Sequence, residues 1–81
     1  MDMRALVGTN VRHLRQKLGL TQEAFSEKSG LTQQYISDLE RGRRNPTVVT
    51  LFELATALGV RPQDLLRPGR RRVAVTGRPT R

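Results

Sequence analysis

The stretch Thr21–Pro46, TQEAFSEKSGLTQQYISDLERGRRNP, decides the fold, because two short helical patterns meet in it at Gly30. Thr21 suits an N-cap, since its hydroxyl can accept from an amide left unpaired at a helix start, so a helix is expected from Gln22. It extends to about Ser29, because Gly30 is the residue best able to take the positive φ that ends a helix and redirects the chain. Leu31 follows as an apolar spacer and Thr32 offers a second N-cap. Ile36 and Leu39, three apart, then mark the buried stripe of a second helix that stops near Gly42. So short a connection forces the two helices to pack at a steep angle.

With Ile36 and Leu39 inward, Gln33, Gln34, Ser37, Asp38 and Arg41 face outward as neighbours along one helical face. A glutamine carboxamide carries a donor beside an acceptor and can bond adenine N6 and N7 together, a pairing that discriminates by about 1 to 3 kcal/mol. Asp38 either accepts from cytosine N4 or holds Arg41 or Gln34 in place. Thr32, Gln33, Gln34, Ser37 and Asp38 are therefore the candidate base-contact residues. Seen alone, such a face is an ordinary solvated helix surface. The cluster Arg41, Arg43 and Arg44 just behind it changes the reading, because phosphates on the groove wall would lie there if Gln33 and Gln34 faced bases. Asn45 and the amide of Gln22, at a helix N-terminus, are further phosphate candidates. Tyr35 fits a phosphate or thymine-methyl contact, or packing of its ring against the bundle.

The segment resembles the DNA-binding domains of the Cro and lambda-repressor type, the XRE-type helix-turn-helix. The matching residues are Leu20, Thr21, Gln22, Gly30, Leu31, Thr32, Gln33, Gln34, Tyr35, Ile36, Leu39, Glu40, Gly42, Arg43, Asn45 and Pro46, and the resemblance runs from about Arg4 to Leu66. Ser26 departs from it where alanine is common against the turn, and Ser29 where an apolar residue is common. The resemblance implies a second helix lying in the major groove of double-stranded DNA with the first across the backbone. It also implies a partly buried pair between Arg15 and Glu40 that joins the first helix of the domain to the reading helix. The function it implies is a transcriptional regulator of repressor type that binds a palindromic operator as a homodimer. A single short reading helix spans only a few base pairs, and two-fold pairing doubles the contact. Val60, Leu65, Leu66 and Phe52 are candidates for the dimer contact, each equally a candidate for the core. Two other readings stay open: a protein-interaction module of antitoxin or coactivator type, and a controller of a restriction-modification operon.

The rest of the chain fits an all-α, five-helix orthogonal bundle over residues 1–66. Val7, Val11, Leu14 and Leu18 recur at helical spacing and predict a first helix over about 2–18, ended by Gly19. Gly8 lies inside it, where glycine costs about 1 kcal/mol against alanine, and close helix contact is the reading that gives it a use. After the helices at 22–29 and 33–41, Thr47 can cap a fourth over 48–58 whose apolar face is Val48, Leu51, Leu54, Ala55 and Leu58. Pro62 suits the first position of a fifth, over 62–66, before Pro68 and Gly69.

Charge divides the chain. Of the +8 net charge, residues 1–66 carry nine Lys or Arg against seven acids, a net of +2, and residues 67–81 carry six Arg and no acid, a net of +6. That tail, RPGRRRVAVTGRPTR, lacks the apolar content for a core, so flexibility is the default. Val73 to Thr76 are strand-compatible and could pair between subunits, and Arg70 to Arg72 could reach DNA backbone or a narrow minor groove. At 81 residues the chain is a single small domain of modest stability. It has no cysteine, so no disulfide or thiolate metal site is expected. Its one histidine, His13, reads as an ordinary surface or partly packed helix residue. No metal, cofactor or enzymatic activity is expected. Met1 to Leu18 is broken by Asp2, Arg4, Arg12, Arg15 and Lys17, which argues against a signal peptide or membrane span and for a cytoplasmic protein.

Overall fold

The computed structural model describes residues 2–68. Every regular element in that range is helical: α1 (Met3–Lys17), α2 (Gln22–Ser29), α3 (Gln33–Glu40), α4 (Val48–Leu58) and a single 3-10 turn at Pro62–Leu66. The fifth element is thus a 3-10 turn rather than an α-helix, because five residues between Pro62 and Pro68 leave no room for a run of i to i+4 bonds. The strand-compatible segment Val73–Thr76 and the arginines Arg70 to Arg72 lie outside the described residues.

Side-chain caps set the helix starts. Asp2 accepts from the amides of Arg4 and Ala5, Thr21 from Ala24, Thr32 from Tyr35 and Thr47 from Thr50. Each satisfies a donor that the first turn leaves unpaired. Between α2 and α3 the chain reverses at Gly30, whose φ of 82° lies in the left-handed region and whose amide still reaches the Ser26 carbonyl. Ser26 and Ser29 then tie down the turn. The Ser26 hydroxyl donates to the Leu31 carbonyl, and the Leu31 amide donates to Ser29 Oγ at 3.2 Å. The two departures from the family pattern therefore satisfy turn backbone that an alanine and an apolar side chain would leave to other partners.

Val7, Val11, Phe25, Ile36, Leu39, Leu54, Ala55, Leu58 and Leu65 form one core, with Leu14, Leu20, Leu31, Tyr35, Leu51 and Val60 packed around it. Two expected core residues fall outside. Leu18 is exposed because α1 ends at Lys17 and the stripe passes instead to Leu20. Val48 is 81% exposed, and with Val49 (65%) and Phe52 (60%) it forms an apolar strip on the exposed side of α4. Among the candidates for a dimer contact, Leu65 is wholly buried and Val60 packs on the core, so only Phe52 and Leu66 remain at the surface.

Two α1 residues fix how the bundle closes. Gly8 is buried under the end of α3: a Cβ there would overlap the Leu39 carbonyl oxygen and stand 3.1 Å from that of Glu40. Asn10, also buried, donates from Nδ2 to the carbonyls of Leu65 and Arg67, both at 2.8 Å, and so satisfies the end of the 3-10 turn. Sequence periodicity could not single out Asn10, since its partners lie 55 and 57 residues away. No helix among the described residues is long and apolar enough to cross a membrane.

Gly8→Ala should destabilise the fold by roughly 1 to 3 kcal/mol through overpacking against backbone, despite alanine's better helix propensity; a urea melt showing a gain would refute the close approach. Asn10→Asp exchanges a double donor for an acceptor facing two carbonyls and should cost about 1 to 3 kcal/mol by the same measurement.

Candidate nucleic-acid interface

The reading helix is held by a carboxylate at its end. Glu40, the last residue of α3, accepts at Oε2 from Arg15 Nε (2.7 Å) and at Oε1 from Arg15 Nη2 (3.0 Å) and Gln22 Nε2 (3.1 Å). The Arg15 and Glu40 side chains are only 10% and 4% exposed. A fork of this kind fixes both ends of the pair in one plane. Arg15 Nη1 donates in addition to the Leu20 carbonyl at 2.8 Å, binding the α1–α2 connection to the same guanidinium. Three helices thus meet at one carboxylate, and α3 cannot rotate or slide without breaking several charge-assisted bonds.

With α3 held this way, Ile36 and Leu39 are buried and Thr32, Gln33, Gln34 and Arg41 are exposed, with Ser37 and Asp38 half-buried beside them. The face presents a hydroxyl, two carboxamides, a second hydroxyl and a guanidinium along about two turns of helix. Asp38 is already occupied. Gln34 Nε2 donates to its Oδ1 at 3.0 Å and Arg44 Nη2 approaches its Oδ2 at 3.5 Å, so the carboxylate holds Gln34 and Arg44, not Arg41. Arg44 also lies over the Tyr35 ring, 5.0 Å from its centroid, a cation–π contact that couples the loop after α3 to a side chain packed on the core.

A model of the helix-turn-helix family matches residues 11–65. The chain belongs to that family. It is 62% identical over 68 residues to y4dJ, an uncharacterised HTH-type transcriptional regulator of Sinorhizobium fredii, an alignment that covers 84% of this chain and 88% of the relative. It is 41% identical over 66 residues to the control protein C.BamHI of Bacillus amyloliquefaciens, covering 80% of this chain and 82% of that protein. Among solved structures, the hypothetical transcription factor NHTF from Neisseria superposes with a TM-score of 0.85 at 35% identity, over 93% of this chain and 86% of that one.

In this helix-turn-helix the remaining candidates divide by position. Arg43, Arg44 and Asn45 are exposed in the loop between α3 and α4. Gln22 has its side chain committed to Glu40, while its backbone amide, in the first turn of α2, donates to no protein group among the described residues. Thr32 spends its oxygen on capping α3 and keeps its hydroxyl proton. Tyr35 is half-buried with its ring on the core. His13 is exposed on α1, and no cluster of metal-ligating side chains occurs among the described residues. One feature of this surface has no counterpart in the sequence patterns: a polar cleft of about 250 Å³ between α1, α2 and α3, lined by Arg12, Arg15, Gln22, Ser37, Glu40 and Arg41. Arg12 lies one turn before Arg15, and nothing in the helical period of α1 marks it apart from its neighbours.

Glu40→Ala leaves the buried Arg15 guanidinium without its carboxylate and should cost about 3 to 5 kcal/mol, seen as a large fall in Tm. An unchanged melting temperature would mean that the pair does not hold α3.

Proposed function

We propose that this chain is a sequence-specific transcriptional regulator, acting as a repressor, that reads half-sites of a palindromic operator with α3 in the major groove of double-stranded DNA. The observation that carries this reading is the fixed presentation of Gln33, Gln34 and Ser37 on a short helix locked from behind by Arg15, Glu40 and Gln22. A base edge is read by side chains held within a fraction of an ångström of the required geometry, and a helix free to rotate could not do so. Thr32, Gln33, Gln34 and Ser37 are assigned to bases. Asp38 serves them by orienting Gln34: with one amide hydrogen spent on Asp38, Gln34 still offers a second hydrogen and its carbonyl oxygen. Arg41, Arg43, Arg44, Asn45, Tyr35 and the Gln22 amide are assigned to phosphates, which set register and affinity. Residues 1–66 form the reading domain, and the arginines of 67–81 add attraction that is salt-dependent and blind to sequence.

The regulator acts as a homodimer. The strip Val48, Val49 and Phe52 is the most exposed group of large apolar side chains among the described residues, and Leu66 and Met3 are exposed as well. An 81-residue chain gains from covering such a strip, and a two-fold contact repeats the reading helix on a second half-site. A second reading has an observation in its favour: the similarity to the control protein C.BamHI over most of both chains supports a controller of a restriction-modification operon. The DNA chemistry is the same in the two readings, and the neighbouring genes distinguish them.

Selection of bound sites from random duplexes across a salt series should return a palindrome; sequence-blind binding with a steep salt slope would refute the reading. Gln33→Ala or Gln34→Ala should lose about 1 to 3 kcal/mol of discrimination at one base position. Arg43→Ala should weaken all sequences alike and lower the salt slope by about 1. Phe52→Glu should give a folded monomer by sedimentation with reduced operator affinity, and a dimer of unchanged strength would place the contact elsewhere.

A further inference from the structure

We infer that the cleft between α1, α2 and α3 is a seat for a DNA backbone phosphate, and that Arg12 on α1 closes on that phosphate together with Arg41. The inference rests on the DNA-reading function proposed above and assigns it a contact from a helix that carries no other candidate for DNA. The cleft opens beside the reading face, since Ser37 of α3 and Arg41 just after it line it along with Arg12, Arg15 and Gln22.

Three features make it an anion site. The first is charge. Glu40 is the one acid in the lining and is neutralised by the fork from Arg15, so the two remaining cations, Arg12 and Arg41, set the sign of the cleft. Neither forms an ion pair with a carboxylate among the described residues. The second is the unused donor capacity of a buried group. Arg15, with a side chain 10% exposed, directs Nε and one hydrogen of Nη2 to Glu40 and one hydrogen of Nη1 to Leu20. A guanidinium has five N–H donors, so two are left without a protein acceptor where the side chain borders the cleft. The third is origin: Arg12 belongs to α1 and Arg41 is the residue that caps the end of α3, so an oxyanion in the cleft can take donors from two separate elements. Its walls carry guanidiniums, a hydroxyl and a carboxamide and no large apolar side chain, so the cleft suits an oxyanion and not an apolar ligand, and on the DNA-reading function proposed above that oxyanion is a backbone phosphate.

A phosphate held here would fix the distance between α1 and the strand whose bases face Gln33 and Gln34. Arg12 is therefore a positioning residue. It contributes to every sequence equally and to none in particular.

The test uses the full chain, its selected operator and a random-sequence duplex of the same length. Arg12→Gln should weaken both by the same factor, about five- to tenfold, and reduce the slope of log affinity against log salt by about 1. Its Tm should stay at the wild-type value. Arg61→Gln removes the same charge from a side chain that faces Asp64, and should change neither affinity nor slope by a comparable amount. A scan of single methylphosphonate substitutions along the operator should then find one position where neutralising the phosphate weakens the wild type and does not weaken Arg12→Gln further. Unchanged affinity and slope in Arg12→Gln, or equal methylphosphonate losses in both proteins at every position, would overturn the inference and leave the reading function standing. Failure of the wild-type chain to bind any duplex would overturn both. A changed base preference in Arg12→Gln would also overturn it, by making Arg12 a reader of bases.

Discussion

The Glu40 carboxylate is the point on which the DNA face depends. It stands at the end of α3, yet its hydrogen bonds come from α1 through Arg15 and from the start of α2 through Gln22. A carboxylate taken out of water is tolerated only if its oxygens are bonded, and three donors from two other helices meet that need. The constraint runs in both directions: satisfying the charge fixes the helices, and fixing the helices aims Gln33, Gln34 and Ser37. Gly8 makes the arrangement sterically possible. With no Cβ it lets α1 lie against the Leu39 and Glu40 carbonyls, and Arg15, two helical turns further on, reaches back along α1 as helical side chains do to meet the carboxylate. A bulkier residue at position 8 would move α1 outward and break the pair without altering either of its side chains.

Seen from this centre, the charge of the chain falls into three parts with different uses. The buried pair is neutral and structural. The exposed guanidiniums of Arg41 and Arg43 have no carboxylate partners among the described residues, which suits the phosphate contacts proposed for them above. The six arginines after Leu66 supply most of the net charge, and their contribution to binding would vanish with salt much as free counterions return to the DNA. The domain itself, at +2, is close to balanced. On the reading proposed above, sequence preference comes from the carboxamides and hydroxyls of α3, and charge supplies attraction that does not distinguish one sequence from another.

Much of the fold was legible because its boundaries are set locally. Thr21, Thr32 and Thr47 cap as their positions suggested, and Gly30 and Gly59 end helices in the left-handed region. What local pattern could not give was the direction in which a helix meets its neighbours. Val48 shares the apolar stripe of α4 with the buried Leu54, Ala55 and Leu58, but it is the first residue of the helix and lies at the surface with Val49 and Phe52. Leu65 had equal claims as core and as contact surface until its complete burial beneath α1 and α4 decided it. The 3-10 turn was read as a helix because spacing alone does not separate i to i+3 from i to i+4 bonding over five residues. Asn10 and Arg12 carry no local signal for a related reason: what distinguishes each is a partner or a cleft brought to it by distant sequence.

The candidate contacts divide further by how firmly the protein holds them. Gln34 and Arg44 are tied to Asp38, Arg44 is stacked on Tyr35, and Thr32 is bound into the α3 cap. Arg12, Arg41 and Arg43 have no such ties among the described residues. On the reading proposed above, this division matches in part what the two kinds of partner demand: Thr32 and Gln34 are held and Arg12, Arg41 and Arg43 are not, whereas Arg44 is held and the side chains of Gln33 and Ser37 have no such tie among the described residues. A base edge requires fixed donors and acceptors, and ordering them beforehand removes an entropy cost that would otherwise be incurred on binding. A phosphate can be approached from many directions by a flexible cation, and a guanidinium already paired with a carboxylate would have to give up that partner before making the contact. Asp38 lies at the junction of the two sets: it holds Gln34 by a hydrogen bond and tethers Arg44 through an exposed and therefore weak ion pair, which on the reading proposed above a phosphate would replace.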